Sequence, residues 1–152
     1  ISGLVGSEMC IRDRVKSLEK GIWTFVKTDE YCYIGSLATD SDLSPEKNRG
    51  ENYILVYKNI GSPETIVQIE AGYNYKLSSE IIVTIDKGIY EFYTTEDLPS
   101  ASWTDEDNKV IFAMKKGLEL FVKGESSRGT ITNDTYTLKG FTAAYNKLTA
   151  DC

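Results

Sequence analysis

The chain has 152 residues, with 17 lysines and arginines against 23 aspartates and glutamates, and its net charge is -6 at neutral pH. An acidic surface lacks the positive patch that nucleic-acid binding needs, so we predict no nucleic-acid partner. The chain contains no histidine, which excludes Ser-His-Asp and Cys-His catalysis and histidine-ligated metals. The longest apolar runs have five residues, whereas a membrane-spanning helix needs about 20, so the chain is predicted not to be transmembrane.

The opening segment, residues 1–14, is predicted to be an artefact. Its residues 4–14 resemble a translated sequencing adapter, and they show no sustained helical or alternating apolar pattern. We therefore expect a disordered segment that replaces the natural N-terminus; a natural leader or tail is the alternative. The remaining residues, 15–152, are predicted to form a single domain, because a chain of about 140 residues supports one core.

Two cysteines remain once Cys10 is set aside with the opening segment. Cys32 and Cys152 lie near the start and at the end of the predicted domain. A cysteine at the end of an exposed tail has no core to join, so we predict a disulfide between them and an oxidising compartment. Two inert thiols in a reducing compartment are the alternative.

Eight runs of aromatic and β-branched residues predict β-strands. The first two form an opening hairpin across residues 28–30, and Asp86-Lys87-Gly88 marks a second hairpin. Between the second and third runs, residues 38–51 are polar and predict the longest loop. The predicted strands are Trp23–Lys27, Tyr31–Ser36, Tyr53–Lys58, Thr65–Glu70, Glu80–Asp86, Ile89–Thr94, Leu118–Lys123 and Thr130–Leu138.

Two segments show helical spacing instead. Thr104 is placed to cap a helix over about 105–116, with acids in its first turn, lysines in its last and Gly117 as a left-handed terminator. Apolar residues from Phe141 to Leu148 recur at i, i+3, i+4 and i+7 and predict a helix over about 140–149. Short strands with two brief helices indicate a mainly β fold, either an antiparallel β-sandwich or a flattened barrel.

Signals for a cofactor, metal or catalytic site are weak. The stretch from Asp40 to Asp42 resembles the start of a calcium loop, but Pro45 stands where that loop needs glycine, so we predict a solvated loop and no metal. The acids 105–107 could form a carboxylate cluster, yet the helix dipole already explains them. We predict no catalytic residue and no cofactor.

Four tyrosines could form an aromatic recognition surface, because tyrosine combines a large contact area with a hydrogen-bonding tip. These are Tyr73, Tyr75, Tyr90 and Tyr93. Strand alternation favours another interpretation, in which half of them point into the sandwich.

The C-terminal third carries a more specific set of strings and resembles the invasion-associated locus B family of Gram-negative, chiefly alphaproteobacterial, envelope proteins. Looser matches extend the resemblance to residues 21–152, among them Cys32-Tyr33 and Arg49-Gly50. The family resemblance implies a mainly β fold, export to the periplasm or cell surface with a signal peptide upstream, and a link to host-cell entry. The C-terminal strings are Ala113–Gly117, Val122–Gly124, Ser126–Thr130, Asp134–Tyr136 and Leu138–Phe141.

Six residues of these strings are predicted to form a structural motif or, alternatively, a site for an anion or a partner. In the structural interpretation Arg128 pairs with Asp134 or a loop carbonyl, and Gly129 permits a tight approach. The six residues are Ser127, Arg128, Gly129, Thr130, Asp134 and Tyr136.

These observations favour a non-enzymatic, exported envelope or cell-surface protein that acts through protein interactions, with an envelope or host-surface protein as partner. One alternative is a periplasmic small-ligand or glycan-binding module, which a concave tyrosine cluster would favour. Another is an enzyme, which two carboxyl groups facing each other across a cleft would favour.

Overall fold

The computed structural model describes residues 18–41 and 49–152, and over these ranges the chain folds into two five-stranded antiparallel sheets with two helices. Neither sheet closes on itself, so the fold is a β-sandwich and not a barrel. The mainly β prediction is confirmed. Residues 1–14 and most of the suggested calcium loop lie outside the described residues.

The first sheet has the strand order β1-β2-β4-β5-β8, and the second has the order β3-β10-β9-β6-β7. Both predicted hairpins are present, since β1 pairs with β2 and β6 pairs with β7. The strands are β1 Thr24–Lys27, β2 Tyr31–Leu37, β3 Asp40–Ser41, β4 Tyr53–Asn59, β5 Ile66–Glu70, β6 Ile81–Ile85, β7 Gly88–Phe92, β8 Ala101–Ser102, β9 Glu119–Glu125 and β10 Ile131–Thr137.

Helices α1 (Asp107–Lys116) and α2 (Phe141–Asp151) confirm the two predicted helices. Helix α1 begins two residues later than expected, because the Thr104 hydroxyl accepts the Glu106 N–H (3.2 Å) in a turn before the helix. The predicted left-handed conformation of Gly117 is wrong, since its φ is -82°. Glycine is needed there for space: a Cβ atom would lie 2.6 Å from the Ile85 Cγ2.

The main core lies between the sheets and is closed at one end by α2. The Phe141 ring of α2 packs edge-on against Trp23 at 5.0 Å, and the Trp23 indole donates to the Thr137 carbonyl (2.9 Å). A second apolar cluster occupies the other face of the first sheet and includes Tyr33 and Leu55. Strands β2 and β4 are thus buried on both faces, which explains their continuous apolar sequence.

The predicted disulfide is confirmed: Cys32 of β2 is bonded to Cys152 after α2, with the Cα atoms 6.0 Å apart. It holds the end of α2 against the first sheet. Two lysines support the same end, because Lys27 donates to the Asp151 carbonyl (3.0 Å) and Lys58 to the Cys152 carbonyl (3.3 Å). In the two described ranges, no helix has the length and apolar character needed to cross a membrane.

Candidate functional site

A buried ion pair joins the loop before β4 to the second sheet. The Arg49 guanidinium donates two parallel hydrogen bonds to the Asp134 carboxylate, at 2.7 and 2.5 Å, and its Nε donates to the Ala71 carbonyl at 2.7 Å. The side chains are 7% and 4% exposed. Burial opposes the charge of Arg49, but the bond to Asp134 and its charge outweigh burial, so the pKa of Arg49 is raised. Such a bidentate pair fixes geometry as well as charge.

Tyrosine side chains surround this pair. The Tyr73 ring lies 5.0 Å from the Arg49 guanidinium, its hydroxyl bonds the Thr132 hydroxyl (2.6 Å), and it packs edge-on against Tyr75 at 5.4 Å. Burial raises the pKa of Tyr75 and of Tyr136, so both phenols stay protonated at neutral pH. The centre is therefore a buried ion pair packed among protonated tyrosine side chains.

A shallow depression of about 320 Å³ opens beside the pair. Glu70 is its most buried acid, but its carboxylate accepts the Gly72 N–H (3.0 Å) and the Ser100 hydroxyl (3.1 Å). Gly72 has a φ of +79°, and its carbonyl accepts the Gly50 N–H (2.9 Å), so the two loops touch where side chains would clash. The Glu70 carboxylate thus holds the loop that positions Arg49. The depression is lined by Gly50, Glu51, Tyr53, Glu70, Gly72, Tyr73, Asn74 and Ser100.

The six-residue motif divides into two places. Asp134 and Tyr136 are inward-facing residues of β10 and are buried. Ser127, Arg128 and Gly129 are exposed in the β9–β10 turn, and Thr130 is half-buried. The predicted pairing of Arg128 with Asp134 is wrong: Arg49 binds that carboxylate, and Arg128 lies at the turn, six residues from Asp134 along the chain.

The β9–β10 turn is organised by Ser126, which the site prediction did not include. Its hydroxyl accepts the N–H groups of Arg128 (3.3 Å) and Thr130 (3.1 Å), while its carbonyl accepts the Gly129 N–H (2.8 Å). Gly129 has a φ of +87°, which suits glycine. The hydroxyl and carbonyl of Ser126 fix the turn, and the Arg128 side chain is exposed.

The four tyrosines do not form one concave surface. Tyr75 is buried, and Tyr73 is half-buried over Arg49. Tyr90 is half-buried beside Gly88, whose lack of a Cβ makes room for its ring. Tyr93 is exposed, and its hydroxyl donates to Asp105 (3.1 Å). This placement does not favour the glycan-binding alternative, whose distinguishing feature was a concave aromatic cluster.

The acids at the start of α1 have separate partners. Asp107 accepts the Val67 N–H (2.9 Å), Glu106 pairs with Lys109 (2.9 Å), and Asp105 accepts the Tyr93 hydroxyl. Burial raises the pKa of Asp107, and the charge of Asp105 raises it further. An open groove of about 650 Å³ borders these residues. These bonds support the helix start and the adjacent strand.

The outer face of the second sheet, pointing away from the first sheet, carries exposed apolar side chains. Phe121 of β9 lies between Thr135 of β10 and Thr84 of β6, and Thr84 lies opposite Ile89 of β7. We call these four residues the Phe121 row. Phe121 is 44% exposed and Ile89 is 70% exposed. Sequence reasoning missed this row, although alternation along β9 and β7 indicates which residues face outward.

The two antiparallel sheets and the Cys32–Cys152 bond define a disulfide-linked antiparallel β-sandwich. The family model described as "Invasion associated locus B (IalB) protein" matches residues 25–149, and the chain belongs to this family.

The fold is also similar to that in the crystal structure of invasion associated protein B from Bartonella henselae. The two chains are 16% identical with a TM-score of 0.61, over 86% of this chain and 94% of the other. This similarity supports the fold assignment. Among curated proteins, none matches the chain significantly.

Proposed function

We propose that this chain is an exported, non-enzymatic envelope or cell-surface protein that acts by binding other proteins through the Phe121 row. The observation that carries the proposal is the exposure of Phe121 and Ile89 in one cross-strand row of an ordered sheet. Aromatic and aliphatic side chains on such a surface supply apolar area that a partner can bury. The surrounding charges of Lys123 and Glu91 supply a polar rim.

Export is supported by the Cys32–Cys152 disulfide. A structural disulfide persists in the periplasm or outside the cell and is reduced in most cytosols. Membership of the invasion-associated locus B family points to the same location. A non-enzymatic role is supported by the partners of the acidic side chains, because each acid at the start of α1 is bonded to a separate group.

Capture of partners from envelope extract tests this proposal, with matched phenylalanine variants. Phe121→Ser removes the aromatic centre of the row, whereas Phe112→Ser removes a phenylalanine of α1 that is more exposed, 60% against 44%. We expect the wild type and Phe112→Ser to capture the same envelope protein, and Phe121→Ser to lose it. Equal capture by the two variants contradicts the proposed surface. Accumulation of the mature wild-type protein in reduced form in the cytosol contradicts export.

A further inference from the structure

Strand β7 is an edge strand of the second sheet, and some of its backbone N–H and C=O groups point away from that sheet. The Tyr93 N–H donates to the Trp103 carbonyl (2.8 Å), and the Trp103 N–H donates to the Tyr93 carbonyl (2.9 Å). The polar groups of Tyr93 therefore point away from β6. Backbone direction alternates along an antiparallel strand, so those of Glu91 and Ile89 point the same way. Within the described ranges no strand pairs with this edge at residues 88–92.

The hairpin geometry gives the same orientation. Residues 86 and 87 form a two-residue turn closed by the Ile85–Gly88 pair, and Asp86 has the positive φ that this turn needs. The closing pair of such a hairpin exchanges hydrogen bonds. Gly88 thus bonds toward β6, and Ile89 bonds away from it.

We propose that two copies of this chain associate by antiparallel pairing of their β7 edges, about a two-fold axis at Ile89. The Tyr93–Trp103 pairing selects this register. An axis at Tyr90 would place Lys87 of one copy opposite Tyr93 of the other. An axis at Glu91 would place Ile89 of one copy opposite Tyr93 of the other. Both of those registers compete with hydrogen bonds that Tyr93 already makes. An axis at Ile89 leaves them intact.

Charge complementarity supports the same register. With the axis at Ile89, Lys87, in the turn at the end of the β7 edge of each copy, lies beside Glu91 of the other, and both side chains are exposed. Opposite charges brought together at a strand pair stabilise it. A single charged residue on an edge normally discourages pairing. Here each charge meets its opposite, and the two Ile89 side chains lie side by side between the pairs.

The contact is small, so the dimer is weak. An edge of about five residues per copy falls below the size of stable interfaces, and we expect a Kd on the order of 0.1 mM. The outer faces stay uncovered, and the two Phe121 rows become parts of one continuous sheet. This self-association goes beyond the proposed function and does not depend on any envelope partner.

Sedimentation velocity on purified protein tests the proposal, in a Cys10→Ser background that prevents accidental crosslinking. We measure dimerisation up to about 1 mM and expect Lys87→Glu and Glu91→Lys each to weaken it at least about tenfold. The double variant Lys87→Glu/Glu91→Lys restores opposite charges and should return to within about threefold of wild type. Lys123→Glu is the matched control, because Lys123 is exposed on the same face but lies on the interior strand β9.

Amide hydrogen exchange supplies a second readout. The Ile89 and Glu91 amides should exchange more slowly as protein concentration rises, because pairing covers them. A wild type that stays monomeric throughout overturns the proposal. So does a double variant no better than the single ones, or a dimer whose formation leaves the exchange of these two amides unchanged. Circular dichroism confirms that each variant is folded before it is scored.

Discussion

Removal of the Arg49 charge should strongly destabilise the protein. Arg49→Met keeps most of the side-chain volume but leaves the Asp134 carboxylate, which is 4% exposed, without its cation. Breaking a buried pair in this way costs about 3 to 5 kcal/mol, because the remaining charge is neither solvated nor paired. For a chain of this size that loss lowers Tm by roughly 6 to 20 °C.

A surface ion pair between a loop residue and strand β9 provides the matched control. Lys76 and Glu125 are 3.7 Å apart, and the lysine is 59% exposed. Lys76→Met should therefore lower the free energy of unfolding by less than about 1 kcal/mol. The double variant Arg49→Met/Asp134→Leu should be more stable than Arg49→Met alone, since it removes the orphaned carboxylate together with the cation.

Urea unfolding followed by tryptophan fluorescence measures all four proteins. Similar m-values across the series would show that the substitutions change the free energy of unfolding and not the compactness of the folded or unfolded state. An Arg49→Met protein within about 1 kcal/mol of wild type would refute the reasoning, because it would mean that Asp134 is solvated or paired elsewhere. A double variant less stable than the single variant would also refute it, because the lone Asp134 carboxylate would then cost less than a leucine at that position.

Three further predictions concern other parts of the chain. Replacing Cys32 and Cys152 by serine should lower the free energy of unfolding by about 4 to 5 kcal/mol, given the 120-residue separation; urea curves unaffected by the replacement would contradict this. Arg128→Ala should change the free energy of unfolding by less than about 0.5 kcal/mol, because Arg128 is exposed. A larger loss would favour the structural interpretation of Arg128. Asp107→Asn should stabilise the protein at pH 7: burial raises the folded-state pKa of Asp107, so its ionisation opposes folding. This gain should vanish as pH falls below the unfolded carboxyl pKa, and a gain persisting there would contradict it.

Most of the strands could be predicted from the sequence because alternation and turn residues are local signals. The β6–β7 hairpin follows from Asp86-Lys87-Gly88 between two alternating runs, and the structure pairs these two strands. Strands β3 and β8 were missed because two residues are too few to show a period. The position of Gly117 after a helix predicts a left-handed conformation, whereas its close approach to Ile85 is what requires glycine there.

The polar centre could not be predicted, for a different reason. Arg49 and Asp134 are separated by 85 residues, and nothing in the neighbourhood of either indicates the other. Arg128 is closer to Asp134 in sequence, and the sequence predicts that it pairs with Asp134 or with a loop carbonyl. The sheet prevents that pairing: Asp134 lies opposite Val122 within the β9–β10 ladder, whereas Arg128 lies at the turn. Local sequence proximity along a hairpin therefore does not indicate side-chain contact.

The two faces of the second sheet have different roles: inward-facing residues stabilise the fold, and outward-facing residues are the proposed binding surface. Asp134 and Tyr136 face inward along β10 and hold the loops through Arg49, whereas Phe121 of β9 faces outward. Because successive residues of a strand point to opposite faces, an outward substitution leaves the inner contacts in place. Surface changes of this kind typically alter stability by less than about 0.5 kcal/mol. A Phe121→Ser protein that fails to bind a partner while retaining its Tm therefore reports on recognition, whereas an Arg49 variant that fails to bind reports on folding.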